Sequence, residues 1–345
     1  DLTVTDDMTV GGTLGVTGAI TGSSTINGVG INVIETGSIL ISNDGGTGTI
    51  SSAVRNTGLG FEVFDDLTTG DDNTSIGRKA LTKLTTGGGN TAVGSGSLTA
   101  HTTGDSNTAF GVSSLAANTT ASNNTAVGSS ALLSNTTGTG NTAVGDISLD
   151  TNTTGNYNSS FGRGSLHDNT TGASNVAVGA SALESNTTAS NNTAVGTSAL
   201  LANTTSDYNV AIGTETLDAN TTGARNTGVG TFALSDNVTG GYNVAVGYAA
   251  LNQNTSNYNT AIGYEALLRN VGAAQNTAVG YRALDHNTTG DNLASLGYNS
   301  LTANTTGTNN TAIGSKAMED NTTGGNNTAV GYAALGNSVG ANANV

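Results

Sequence analysis

The sequence predicts an all-β protein: a β-solenoid, or β-roll, of about sixteen 17-residue coils, preceded by a short-strand segment. Three observations predict it. A glycine inside NTAVG-like text recurs from Gly77 to Gly331 every 17 residues, with one step of 16 between Gly247 and Gly263. A fixed period over so many units marks a stacked array. Positions within the unit also keep their chemistry. With the glycine as position 0, position −1 is apolar in all sixteen units and position 4 is Leu in fifteen, Met318 replacing it once. Positions −2 and 3 are always small. Finally, aromatics are 4% of the chain, and Trp, Pro and Cys are absent, too little bulk for a conventional core of this length.

Residues 1–50 form the first segment. Their Thr, Val and Ile, punctuated by Gly, read as strands of about 4–6 residues between tight turns. Leu2-Thr3-Val4-Thr5 alternates, whereas Ile39-Leu40-Ile41 is a continuous apolar run suited to a strand covered on both faces. Alone this segment buries too little to fold, so pairing with other chains is expected. Residues 51–70 read as a junction in which Phe61 and Phe64 plug the first end of the solenoid. The chain opens at Asp1 without Met or a signal peptide, which reads as a processed or partial chain.

Residues 71–345 carry the repeat. NTAVG is a β-type pentapeptide, so Val and its neighbouring Ala point to opposite faces. The large residues are expected inside, giving a coil core of Val127, Leu132, Val144, Leu149, Val195, Leu200, Val246 and Leu251 and their equivalents. Each fully buried side chain then contributes roughly 1.5–3 kcal/mol. The small residues are expected to face another chain, which predicts an oligomer, a trimer foremost. TTG and its adjacent Asn residues form the turn. The one short unit agrees, because its deletion falls in Asn254–Asn259 while Val246, Leu251 and Ile262 keep phase. Sixteen coils at one strand spacing each make a rod of roughly 75 Å. Solenoid ends need covering, so more chain or another subunit is expected beyond Val345.

Position 7 is Asn in every unit from Asn118 to Asn321. Stacked, these side chains can form an amide ladder along the axis. The competing reading is glycosylation, with sequons at Asn118, Asn135, Asn152, Asn169, Asn186, Asn203, Asn220, Asn237, Asn254, Asn287, Asn304 and Asn321. A second surface feature is a Tyr column at position 1, namely Tyr248, Tyr264, Tyr281, Tyr298 and Tyr332. Tyr157, Tyr208, Tyr242 and Tyr258 lie in the turn before Asn. Such rings either pack across coils or chains, or stack on sugars.

The net charge of −15 argues against nucleic acid as partner. No apolar run is long enough for a transmembrane helix, so membrane insertion is not expected. His101, His167 and His286 occupy repeat positions 7, 5 and 6 and form no column. No nucleophile–base spacing recurs, and the Gly-rich loops lack a phosphate-binding Lys. Asp65-Asp66 and Asp71-Asp72 read as solvated carboxylates rather than a calcium site. No catalytic residue, metal or cofactor is assigned.

NTAVG followed by Ala-Leu at positions 3 and 4 is similar to the head repeats of trimeric autotransporter adhesins. It resembles still more closely the repeats of tail-fibre-type proteins of phages and bacteria. Met8-Thr9-Val10-Gly11-Gly12-Thr13-Leu14 resembles tail-fibre shaft text. The resemblance implies a left-handed, trimeric β-roll in an elongated extracellular fibre on a virion or cell surface. The expected function is a non-enzymatic fibre segment, adhesin or spacer whose partner is itself, as homotrimer or homopolymer. The alternatives are a self-assembling extracellular filament subunit, glycosylated or not, and a module that binds a cell-surface glycan or receptor through the Tyr column.

Overall fold

A computed structural model describes residues 24–26, 29–34, 38–42 and 52–343. Leu2–Thr5 and the shaft-like text of residues 8–14 lie outside the described residues. Strands β1 (Ser24–Ile26), β2 (Val29–Ile34) and β3 (Ser38–Ser42) form an antiparallel meander. The run Ile39-Leu40-Ile41 lies in β3, which pairs in parallel with β4 (Thr57–Leu59) of the same chain.

From β4 onward the protein is a β-solenoid. Seventeen three-residue strands, from β4 to β20 (Thr328–Val330), stack as one parallel sheet. Registers are uniform: Thr125 sits opposite Thr142, Ala126 opposite Ala143, Val127 opposite Val144. The 16-residue step leaves that register intact, with Val244 opposite Thr260 and Val246 opposite Ile262. The coil therefore shortens in the turn, as the sequence predicts. Among the described residues there is no helix long and apolar enough to cross a membrane.

The regular coils begin one turn earlier than expected. Gly60 takes the place of the repeat glycine, with φ +145°, and Phe64 takes the place of the position 4 Leu. Phe64 is buried, whereas Phe61 at position 1 is exposed. Residues 52–70 are therefore largely a first coil rather than a separate junction.

Each coil turns at fixed points. Gly128 has φ +138°, and a Cβ added there would lie 2.4 Å from the carbonyl oxygen of Gly145 in the next coil. Only glycine permits that approach. Leu132 has φ +52°, in the left-handed region, and equivalent leucines share it. Neighbours on a strand point to opposite sides. The left-handed Leu breaks that alternation, so Ala131 and Leu132 both face inward and are fully buried.

The core differs from the sequence expectation in one systematic respect. Leu132, Leu149, Leu200 and Leu251 are fully buried, but Val127, Val144, Val195 and Val246 are not. The alanine at position −2 faces inward instead: Ala126, Ala143, Ala194 and Ala245 are 0% exposed. Seventeen residues enclose a narrow space. Once Leu occupies it, the facing wall accepts only Ala, Ser or Gly. Gly228 illustrates the tightness, since a Cβ there would lie 2.6 Å from Thr216 Cγ2. The small residues thus face the interior of their own chain, and the Val column faces outward.

Two asparagine ladders complete the core. At position 7, Asn169 Nδ2 donates to Asn152 Oδ1 at 2.8 Å and to the Gly172 carbonyl at 3.1 Å. Asn186 Nδ2 donates in turn to Asn169 Oδ1 at 2.8 Å. At position −4, the Asn141 backbone N–H donates to Asn124 Oδ1 at 3.0 Å, and Asn141 Nδ2 donates to the Gly155 carbonyl at 2.8 Å. Buried polar groups are tolerated because they are paired.

Candidate interaction face

Outward-pointing residues of the sheet come from positions −3 and −1, as the two-residue period requires. Position −1 runs from Leu59 through Phe110, Phe161, Ile212 and Ile262 to Val330 and is buried in no coil. Position −3 is mostly Thr, with Val at 176, 210 and 244. No Asp, Glu, Lys or Arg occupies either row in the seventeen coils, although the chain carries 24 acidic and 9 basic residues. A solvent-facing sheet surface ordinarily alternates apolar inside with polar outside. Here one outward row is apolar throughout, and Phe110 is 56% exposed.

Tyrosine columns flank this face. Tyr248, Tyr264, Tyr281 and Tyr298 form a ladder with centroid steps of 5.2, 5.3 and 5.3 Å and interplanar angles of 14°, 9° and 10°. The Phe232 ring meets Tyr248 edgewise, at 5.8 Å and 84°. Tyr332 stands apart, with Ser315 in the intervening coil. On the other flank, Arg225 lies 5.6 Å from the Tyr208 ring centroid and 5.3 Å from that of Tyr242, and Tyr242 stacks on Tyr258 at 5.1 Å. Tyr157 is a solitary exposed ring in an earlier coil. Hydrogen bonding to Glu265 leads the causes that hold the Tyr264 phenol above its ordinary pKa. Because the ladder rings cover one another's faces, their edges and hydroxyls are what they present to solvent.

The sequons lie elsewhere. Asn118, Asn135, Asn152, Asn169, Asn186, Asn203, Asn220, Asn237, Asn254, Asn287 and Asn304 are 0% exposed, and Asn321 is 1% exposed. Their Nδ2 atoms donate within the coil, as at Asn135 to Gly138 and Asn321 to Gly324. A glycan on that nitrogen would need the space the ladder fills, so glycosylation at these sites is incompatible with the coil.

The histidines are spread along the rod. His101 is buried at position 7, where it continues the Asn ladder: Nε2 lies 2.8 Å from the Gly104 carbonyl, and Asn118 Nδ2 lies 3.1 Å from Nδ1. Asn118 is the donor there, which makes Nδ1 an acceptor and the ring neutral. Burial pushes its pKa below 6.5. His167 contacts Asp168 at 2.7 Å and Asp150 at 3.5 Å. Partial burial pulls its pKa down, but the carboxylates more than offset this and raise it overall. His286 borders a 290 Å³ surface pocket with Thr302, Glu319 and Asp320. Its Nδ1 lies 3.1 Å from the Thr302 carbonyl. Among the described residues, no three His, Asp or Glu side chains converge to hold a metal. Asp71 accepts from the Val54 N–H, and Asp72 pairs with Arg55.

Protein-family models, curated proteins and solved structures offer no match to this chain. The outward face is therefore interpreted from its own chemistry. Sequence reasoning placed the Val row correctly on the opposite side from Ala, but assigned the sides in reverse. It also passed over the second Asn ladder, whose signal is the Asn that opens nearly every NTAVG.

Proposed function

We propose that this chain is a non-enzymatic structural rod that associates side by side with further copies of itself, as a homotrimer, in an extracellular fibre on a virion or cell surface. The observation that carries this reading is the charge-free outward face, one row of which is apolar in each of the seventeen coils, repeated in register. A face of that kind is unfavourable in water and fits a partner with the same rung spacing. A second copy of the chain has that spacing by construction. Seventeen coils give a strip roughly 80 Å long and about 10 Å wide. That is about 800 Å² per chain, the area per partner of a standard stable interface. The net charge of −15 opposes association elsewhere on the surface, which leaves the neutral face as the contact.

Native mass spectrometry and analytical ultracentrifugation test the proposal. The wild-type protein is expected at the mass of three chains, and Ile212→Glu with Ile262→Glu is expected to give single chains that retain their β circular dichroism. A wild-type monomer, or a trimer indifferent to both substitutions, would refute it.

A further inference from the structure

The outward apolar row carries a second, longer period. At position −1, the side chains larger than Val are Leu59, Phe110, Phe161, Ile212, Ile262 and Ile313, together with Ile76 and Leu296. The first six stand three coils apart, at steps of 51 residues and one of 50 across the short coil. Three coils rise roughly 14 Å. From Phe110 to Ile262, any three successive coils hold one large residue and two Val. Ile76 and Leu296 depart from the step in the second coil and in the third from last. Duplication of a three-coil unit would repeat its other positions too, and they do not repeat. From Phe110 onward, position 1 of these coils reads Val112, Arg163, Thr214, Tyr264 and Ser315, and position 5 reads Ala116, His167, Asp218, Leu268 and Glu319. The long period belongs to the outward row, where Phe110 is 56% exposed and Ile212 41%.

We propose that the three chains of the rod lie parallel and are offset from one another along the axis by one coil. This rests on the association proposed above and specifies its register. Three rods set level would bring three copies of Phe161 to one height, three of Val178 to the next and three of Val195 to the one after. The large side chains would hold the rods apart, and the Val levels between them would be left with gaps that forfeit packing contacts. An offset of one coil removes the mismatch. Phe161 of one chain is then level with Val178 of a second and Val195 of a third. Every level along this stretch holds one large residue and two Val. The number of chains and the length of the period are thereby linked. Three chains offset by one coil need one large residue in every three coils of each chain, whereas two chains would need a period of two and level chains would need none. Collagen meets a related constraint with glycine at every third residue of three chains, because only glycine fits its crowded axis. The first and third chains differ by two coils, so the offset costs two complete levels out of seventeen.

The test replaces Phe161, and in a second variant Phe110, with the photoreactive residue p-benzoyl-phenylalanine in the full chain. Both positions are exposed and aromatic, so the probe keeps the large side chain in place. Native mass spectrometry of the wild type and both variants reports the number of chains, and circular dichroism reports the coil. After irradiation, chains joined to one another are separated by gel, and the joined residues are mapped by tandem mass spectrometry. With the offset, position 161 is expected to join Val144 or Val178 of a neighbouring chain, or Val127 or Val195 between the first and third chains. Position 110 is expected to join Val93 or Val127 in the same way. Links between two copies of position 161, or two copies of position 110, are expected to be absent. A trimer in which these positions join their own copies would overturn the offset and leave the association standing. A trimer linked only to other surfaces, or unlinked by either probe, would also overturn the offset, because the outward rows would not meet. A wild type of single chains would overturn the association itself, and the offset with it.

Discussion

Gly228→Ala adds one methyl group to the interior and should loosen the coil around it. The added Cβ would lie 2.6 Å from Thr216 Cγ2, with Leu217 Cδ1 and the Ala233 carbonyl oxygen 3.5 Å away on other sides. Thr216 is fully buried and its hydroxyl donates to the Gly230 carbonyl at 2.7 Å, so it cannot rotate freely out of the way. Overpacking of this sort costs roughly 1–3 kcal/mol. Thr216→Ser removes the methyl on the other side of the contact and costs about 1 kcal/mol in lost burial. The double variant recreates the pairing that Ser114 and Ala126 make in an earlier coil, both of them fully buried. Its penalty should therefore fall below that of Gly228→Ala alone, with a coupling of about 1–2 kcal/mol. Repeat arrays can unfold coil by coil, so the readout is hydrogen exchange of peptides spanning residues 213–247. Gly228→Ala is expected to lose about tenfold in protection there, and Thr216→Ser should restore most of it. If the double variant is as unprotected as Gly228→Ala, the small positions are not set by packing between facing walls.

Three further outcomes follow from the same interior. Ala278→Glu places a carboxylate in a fully buried position and should destabilise its coil by about 3 kcal/mol or more, read by hydrogen exchange at any protein concentration. His101 has a folded pKa below 6.5, so its contribution to stability is complete above that pH and declines as pH falls through it. Urea denaturation at pH 7.5 and pH 5 should show that loss, and His101→Asn, which extends the ladder of Asn118, should abolish it. Peptide mapping of protein secreted from a glycosylating host should find the position 7 asparagines, such as Asn169 and Asn186, unmodified, because their side-chain nitrogens are buried in the ladder.

The period, the register and the location of the short coil were legible because stacking makes them one-dimensional. A coil that slips by one residue turns its whole inward set outward, so the pattern cannot drift. What alternation leaves undetermined is which side is in. Bulk pointed to Val, and bulk misled, because the interior is narrower than a hydrophobic core usually is. The sequence did hold the deciding signal. Position −1 accepts Phe at 110 and 161, whereas −2 never exceeds Ala or Ser, and a row that tolerates rings is a row with room. Paired changes say the same: Gly228 accompanies Thr216, and Ser160 and Ser165 occur together with their hydroxyls 2.5 Å apart. The first coil escaped notice because Thr57-Gly58-Leu59-Gly60 lacks the NTAV text, though Phe64 holds the place of Leu.

The inversion separates two levels of stability that a single core would have merged. Inside the coil, one Leu and a few methyl groups are joined by two Asn ladders, whose hydrogen bonds fix register more than they add burial. Outside, the larger apolar residues are exposed, and the association proposed for this chain would cover them. Ala261 and Ile262 are adjacent in sequence and belong to different levels: Ala261 is fully buried and Ile262 is 41% exposed. Ala261→Glu should therefore cost protection in its own coil, whatever the concentration. Ile262→Glu should leave exchange in the isolated coil unchanged and alter only the mass of the assembly. If both substitutions act on assembly alone, or both on the coil alone, the division between inner and outer rows does not govern this rod.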